Sequence, residues 1–336
     1  MKLIIQIPCL NEAATLPIAL GDLPKQIPGI DVIETLIIDD GSRDDTVAVA
    51  RAHGVHHVVG FRSNQGLAKA FMLGIQAGLE RGADIIVNTD ADNQYCGEDI
   101  AKLVRPILEG RADLVIGARP IEQIQHFSTI KKILQRLGSW VVRRVSNTDV
   151  ADAPSGFRAM SREVALVLNV FSDYTYTLET IIQAGQKNLR VSSVPVRVNG
   201  DLRPSRLVRS IGSYVRRSVL TMLRIFIVYR PLRFFLSASL LPVLGGLGLG
   251  VRFLVFFVQG GGAGHVQSLI LAAVLLLVAF QTMLLAILAD LQSVNRRLLE
   301  DLQQRERARR ADAGVGPSAA QHERPSERPR DWATSA

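Results

Sequence analysis

Near its carboxyl end the chain carries two apolar runs, Phe234 to Val258 and Val266 to Ala289, in which Arg252 is the single charged residue. Each is long enough to cross a hydrocarbon core as a helix, which takes about 20 residues. Within lipid a single backbone segment must satisfy its own hydrogen bonds, so these runs are confined to helix. The Gln259 to His265 link is Gly-rich and lacks Lys and Arg, whereas Arg crowds both outer flanks. The positive-inside rule then predicts a hairpin with both ends in the cytosol, and with it everything upstream. Gly246 and Gly250 form a GxxxG spacing, read as close helix packing. Arg252 has two readings of equal weight, snorkelling to the far headgroups or facing a lipid-phosphate path.

The flanks refine this organisation. From Pro204 to Arg233, Arg206, Arg209, Arg216, Arg217, Arg224, Arg230 and Arg233 interleave with Leu, Val, Ile, Phe and Tyr. That pattern suits an amphipathic segment lying on anionic lipid. After Asn295 the composition turns to Arg, Glu, Ala and Pro, which predicts a frayed helix running into disorder. The expected organisation is therefore a globular domain over 1–203, an interfacial segment over 204–233, a membrane hairpin over 234–290 and a tail over 291–336. It places the chain in the cytoplasmic (inner) membrane with two spans. The apolar run from Leu3 to Leu10 is broken at once by Asn11 and Glu12, so it reads as a buried strand and not as a signal peptide.

Over 1–203, short β-branched runs alternate with helical patterns, which predicts an α/β domain on a mostly parallel sheet. The expected strands are Leu3 to Ile7, Val32 to Ile38, His56 to Gly60, Ile85 to Asn88 and Leu114 to Gly117. Helices are expected over Asp44 to Arg51 and Gly66 to Arg81. The formal charge of +8 suits a phosphate-bearing partner without choosing among nucleotide, nucleic acid and anionic lipid. Cys9 and Cys96 stand far apart, so neither a disulfide framework nor a zinc site is implied.

Two strand ends carry paired acids: Asp39 and Asp40 in Ile-Ile-Asp-Asp-Gly-Ser, and Asp90 and Asp92 in Asn-Thr-Asp-Ala-Asp-Asn-Gln. In an open parallel sheet ligands bind beyond the carboxyl ends of the strands, so both pairs converge on one crevice. Crowded carboxylates call for a cation, and an Asp-x-Asp pair offers hard oxygens to Mg2+ or Mn2+, with waters and a diphosphate filling the remaining positions. The plainer reading of Asp39 and Asp40 is a turn and helix cap before Gly41.

Four segments in order, Ile7-Pro8-Cys9-Leu10-Asn11-Glu12, Ile38-Asp39-Asp40-Gly41-Ser42, Asn64-Gln65-Gly66-Leu67-Ala68-Lys69 and Asp90-Ala91-Asp92-Asn93-Gln94, resemble the family 2 glycosyltransferases. Within that family they resemble the polyprenyl (dolichyl) phosphate mannosyl- and glucosyltransferase branch, over about residues 2–207. The resemblance implies a GT-A fold, a nucleotide-sugar donor and inversion by a single displacement. It implies that Pro8, Asn11, Glu12, Asp39 and Asp40, with Gly66 and Lys69 of the third segment, line the donor site. Asp90, Asp92 and Gln94 are implied to hold metal and diphosphate.

The implied acceptor, a polyprenyl phosphate, is largely a dianion at neutral pH and needs cations to position it more than a base to activate it. Candidate cations and donors are Arg119, then Lys131, Lys132 and Arg136, then Arg203, Ser205 and Arg206. The resemblance favours Arg119 and a basic residue near Lys131. The chain departs from the family where Gln135 replaces a common Ser, and where Arg203-Pro204-Ser205-Arg206 replaces an Arg-x-x-Gly-x-Ser-Lys pattern. Ser155-Gly156-Phe157-Arg158 matches a Ser-Gly-Phe pattern expected to line the acceptor side, and it also reads as a tight turn. Glu179 is expected to satisfy basic neighbours.

Three rivals carry less. A processive polysaccharide synthase would show Gln-x-x-Arg-Trp, which the chain lacks. A non-catalytic membrane scaffold or sugar-nucleotide sensor has no structural reason to keep Asp90, Asp92 and Gln94 together at one strand end. Nucleic-acid binding has no recognisable module, so no nucleic acid is expected as a partner. Sugar, polyprenol length and oligomeric state, a homo-oligomer included, are not legible in the residues.

Overall fold

The protein is described by a computed structural model covering residues 1–120, 129–170, 176–200, 216, 219–220, 223–224, 227–260 and 262–312. It divides into two compact units, Met1–Arg206 with Gln304–Ala336, and Leu207–Gln303.

The first unit is built on strands β1 (Lys2–Cys9), β2 (Val32–Asp39), β3 (His57–Gly60), β4 (Ile85–Asn88), β5 (Leu114–Ala118), β6 (Arg158–Ser161) and β7 (Val191–Pro195). They form one sheet in the order β3-β2-β1-β4-β6-β5-β7. All run parallel except β6, which pairs antiparallel with both β4 and β5. The five expected strands are all present, with β1 and β2 extending to Cys9 and Asp39. Strands β6 and β7 add to them, and neither is among the runs that composition marks.

The near-continuous apolar runs of β1 and β4 follow from coverage on both faces, as a parallel sheet requires. Leu3, Ile5 and Ile7 pack with Val87, Leu103 and Val104 on one side. Helix α3 (Leu67–Glu80) lies close to the sheet, since a Cβ at Gly74 would sit 2.5 Å from Oε1 of Gln6. The remaining helices of this unit are α1 (Leu16–Gly21), α2 (Thr46–Ala52), α4 (Ile100–Leu108), α5 (Thr129–Ser146), α6 (Arg162–Val167) and α7 (Thr177–Gln186). Helix α2 starts at Thr46, later than the expected Asp44, because the Asp44 carboxylate accepts from the Thr46 backbone N–H at 3.1 Å.

The reversal of β6 decides where the chemistry goes. An antiparallel strand begins at the edge where its neighbours end. Asn88 at the end of β4 pairs with Arg158 at the start of β6, so Ser155-Gly156-Phe157 arrives beside the residues that follow β4.

The second unit contains α8 (Pro231–Val258) and most of α9 (Val266–Asp312). Both are long and apolar enough to cross a membrane, and their apolar side chains are overwhelmingly exposed, unlike those of a core helix. Ala272, Ala279, Ala286, Ser293 and Glu300 are buried along α9 at a seven-residue spacing, which sets them along one face of the helix. Gly246 packs there, since a Cβ would meet Leu276 at 2.8 Å, whereas Gly250 has nothing within 4 Å. Arg252 lies over the Phe256 ring, 5.8 Å from its centroid, and His265 stacks on that ring at 4.0 Å.

Where the sequence predicts fraying after Asn295, α9 continues to Asp312. In the first unit Arg307 accounts for part of this: it donates to the Leu168 carbonyl and, at 2.6 Å, to Oδ1 of Asn169. The expected interfacial segment falls mostly outside the described residues, as does the tail from 313 onward.

Candidate active site

The carboxyl edge of the sheet gathers the candidates in two groups. The first lies beyond β1 and β2. Asn11 takes a left-handed backbone (φ 54°), and its backbone N–H donates to Oγ of Ser42 at 2.9 Å while its Oδ1 accepts from the Arg43 N–H at 2.7 Å. The Glu12 N–H donates to Oγ1 of Thr46 at 2.9 Å, and its carboxylate accepts from Thr15 at 2.8 Å. These bonds stitch the loop after β1 to the loop after β2, with half-buried Pro8 at their base.

Asp39 and Asp40 are both buried. Asp39 accepts from the Ser42 N–H at 2.9 Å, the turn geometry of the plainer reading. Asp40 reaches further: its two oxygens accept from the backbone N–H groups of Gln65 at 2.7 Å and Gly66 at 2.9 Å. It therefore anchors the loop that enters α3, bonding the two backbone N–H groups just ahead of the helix's first residue, Leu67. Burial raises its pKa, which those two bonds partly offset. Gly41 lets the loops meet, because a Cβ there would lie 2.5 Å from the Ser63 carbonyl carbon. Lys69, one turn into α3, is exposed.

The second group lies beyond β4, β5 and the start of β6. Asp90 and Asp92 follow β4 directly, and the Gln94 N–H donates to Oδ1 of Asp92 at 3.2 Å. Asn93 turns the loop with φ 56°, and the Asn199 side-chain amide fixes it by donating to the Asn93 carbonyl at 3.1 Å. Burial and the neighbouring Asp92 push the Asp90 carboxyl up to about 7, against the pull of Arg119 and Arg158. Glu12 also contributes to that rise, so the two groups share one field across the cleft.

Beneath Asp90 lies a buried polar network. The side-chain amide of Gln6 donates to Oδ1 of Asn88 at 2.9 Å, and the Asn88 amide donates to the Gly156 carbonyl and the Tyr176 hydroxyl, each at 2.9 Å. A Cβ at Gly156 would lie 3.2 Å from both oxygens of Asp90. Gly156 thus permits a close approach to the Asp90 carboxylate, beyond what a tight turn alone would require. Ser155 is fully buried. Arg158 is fully buried too, bonded to the carbonyls of Ser155 and Thr177 and the Thr180 hydroxyl.

Arg119, just after β5, is nearly buried and held by Asp152 through Nε at 2.7 Å and Nη2 at 3.1 Å. Asp152 has no motif of its own and escapes a sequence reading; its only signal is standing three residues before Ser155. Lys131, Lys132 and Arg136 fall on α5, but their side chains lie outside the described residues, as do Arg203, Ser205 and Arg206 altogether. Glu179 stands in the first turn of α7. Among the described residues no group of three or more His, Cys, Asp or Glu is placed to hold a metal by itself. Two carboxylates with open positions still suit Mg2+ or Mn2+, which retain waters and bind substrate phosphate oxygens.

Comparison with known proteins agrees with this geometry. The family described as Glycosyl transferase family 2 matches residues 4–167. An undecaprenyl-phosphate mannosyltransferase of Micrococcus luteus is 29% identical over 58% of this chain and 83% of its own. An uncharacterized glycosyltransferase of Mycobacterium bovis is 32% identical over 60% of this chain and 91% of its own. The glucosyl-3-phosphoglycerate synthase of Mycobacterium tuberculosis, solved with phosphoglyceric acid, superposes with a TM-score of 0.55 at 24% identity, covering 67% of this chain and 79% of that one. The same synthase solved with Mn2+, UDP-glucose and phosphoglyceric acid gives 0.51 at 21%, covering 66% and 79%. With its acid pair at the end of β4 and a reversed strand beside it, the chain has the GT-A fold and belongs to the family 2 glycosyltransferases.

Proposed function

We propose that the protein transfers one hexose from a nucleotide sugar to a polyprenyl phosphate at the cytosolic face of the membrane. The observation that carries this reading is that one sheet edge brings Asp90, with Asp92 two residues on, into the electrostatic field of the cation Arg119, which is itself held by Asp152. Such an edge can hold the two phosphate-bearing reactants of one transfer. The likeness to an undecaprenyl-phosphate mannosyltransferase and the two exposed apolar helices support a lipid acceptor.

Asp90 and Asp92, with Gln94 beside them, would hold Mg2+ or Mn2+, which when bound offsets the charge on the departing nucleoside diphosphate. The loops bearing Pro8, Asn11, Glu12, Asp39 and Asp40 form the donor wall, and the bonds of Asp40 to Gln65 and Gly66 tie the entry of α3 to it. On the other side Arg119 orients the acceptor. A phosphate oxygen attacks the anomeric carbon as the bond to the diphosphate breaks, with inversion; the acceptor dianion needs no general base.

The test is incubation of purified protein with undecaprenyl phosphate, Mg2+ and a panel of nucleotide sugars led by GDP-mannose and UDP-glucose, with UDP-linked amino sugars included. One sugar per lipid is expected, abolished by chelator and by Asp92→Asn. Undiminished turnover in that variant refutes the metal assignment, and growth beyond one sugar refutes single transfer.

A further inference from the structure

Arg119 cannot grip a phosphate with its whole guanidinium, because one edge is already engaged. Nε and one Nη2 hydrogen lie on the two oxygens of Asp152, at 2.7 and 3.1 Å, and the Arg119 backbone N–H also approaches Asp152 at 3.3 Å. Asp152 is 1% exposed and Arg119 is 9% exposed, so the pair has little freedom to rearrange. A guanidinium carries its five N–H groups in a rigid planar fork with more than one bidentate edge. With the side edge on Asp152, the end-on edge formed by Nη1 and the second Nη2 hydrogen remains, and Nη1 has no hydrogen-bond partner among the described residues.

The surrounding charges explain why a carboxylate is needed on that side edge. Asp90 acts on Arg119, and Arg119 on Asp90. Apart from Asp152, the groups that act on Arg119 are Tyr95, whose phenol stays neutral because burial raises its pKa, and Asp90, which is then the remaining anion. An Arg119–Asp90 ion pair would remove both the acceptor cation and a carboxylate required on the donor side. We propose that Asp152 is a positioning residue: it holds Arg119 by its side edge, away from Asp90, so that the end-on edge receives the acceptor phosphate. This rests on the lipid-phosphate reading above and names the residue that makes it work. Asp152 attracts no substrate itself, and its negative charge weakens the general pull on a dianion. What it supplies is direction, which matters because misplacement by about 1 Å can lower a rate a hundredfold.

The experiment compares the full-length protein in detergent with Asp152→Asn, Asp152→Glu and Arg119→Lys. Steady-state transfer is measured with each reactant varied in turn, alongside binding of the nucleoside diphosphate with Mn2+ in the absence of lipid. Asp152→Asn keeps the side-chain shape but removes the charge that holds the fork. Its acceptor KM is expected to rise about 10- to 100-fold. Its donor KM is expected to stay within about twofold of the wild type, since among the described residues the Asp152 carboxylate bonds to Arg119 and to nothing on the donor wall. Asp152→Glu should recover part of the loss, and Arg119→Lys, which cannot bind in bidentate fashion, should match Asp152→Asn. Nucleotide binding by each variant excludes loss of fold as the cause. A wild-type protein that binds nucleotide yet transfers to no polyprenyl phosphate overturns the acceptor reading and this inference with it. Wild-type transfer with an unchanged acceptor KM in Asp152→Asn overturns the positioning role alone.

Discussion

Replacing Gly156 with Ala should damage metal-dependent transfer more than stability. The added Cβ would stand 3.2 Å from both Asp90 oxygens and 3.0 Å from the Tyr176 hydroxyl, each too close for an ordinary carbon–oxygen contact. One neighbour must retreat by a few tenths of an ångström. Tyr176 is poorly placed to do so, because its ring stacks on Phe71 at 3.8 Å and its hydroxyl accepts from Asn88 at 2.9 Å. The Asp90 carboxylate is half-buried and has no hydrogen-bond partner among the described residues, so it moves instead. If about 1 Å of misplacement corresponds to a hundredfold, a shift of about 0.3 to 0.5 Å predicts a loss of about four- to tenfold in rate or cation affinity. Overpacking adds about 1 kcal/mol of destabilisation. The assay is transfer rate against Mn2+ concentration, with a thermal melt as control. An unchanged half-saturating Mn2+ concentration and an unchanged maximal rate would refute the reasoning. Combining the substitution with Tyr176→Phe removes the 3.0 Å contact; recovery there would show that the strain runs through the tyrosine and not Asp90.

Two further outcomes follow from the same edge. The Asp90 carboxyl, pushed up to about 7 by burial and Asp92, carries a proton below that pH, and a cation must displace it. Apparent Mn2+ affinity should therefore fall about tenfold per pH unit below 7 and level off above it, while the metal-free protein gains stability as pH drops from about 7 toward the ordinary carboxyl value of 3.8. A cation titration that is flat across that window contradicts this. Asp40→Ala removes the acceptor of the Gln65 and Gly66 N–H groups and should lower stability by about 1 to 2 kcal/mol, read as a reduced melting temperature, with weakened donor binding as a secondary effect. An unchanged melting temperature would mean that these two bonds contribute little.

The features legible in the amino-acid sequence share a physical character. The strands from β1 to β5 are β-branched runs whose burial is set by their own composition, and the acids at the ends of β2 and β4 are placed by where those runs stop. Position at a strand end is local information. β6 is different: Arg-Ala-Met-Ser holds an arginine that looks solvent-facing, yet it is fully buried because oxygens from Ser155, Thr177 and Thr180 surround it. A buried cation is tolerable only with such partners, and no window of neighbouring residues contains them all. Asp39 and Asp40 are a middle case, since an Asp-Asp-Gly-Ser segment permits both ligand and turn. Only the return of the chain at Gln65 and Gly66 gives Asp40 its role of anchoring the loop ahead of α3.

The same division runs through the site. The residues proposed to face substrate stand at ends of elements and can be named one at a time, whereas those that orient them are defined by a partner far along the chain. Gln6 and Asn88 are 82 positions apart, and Arg119 and Asp152 are 33 apart. A lone polar residue inside a strand, or a lone acid in a loop, is compatible with many partners, and its burial becomes favourable only when one particular partner arrives. The supporting layer of such a site is therefore encoded in pairs, and a single sequence read position by position shows each half without its reason.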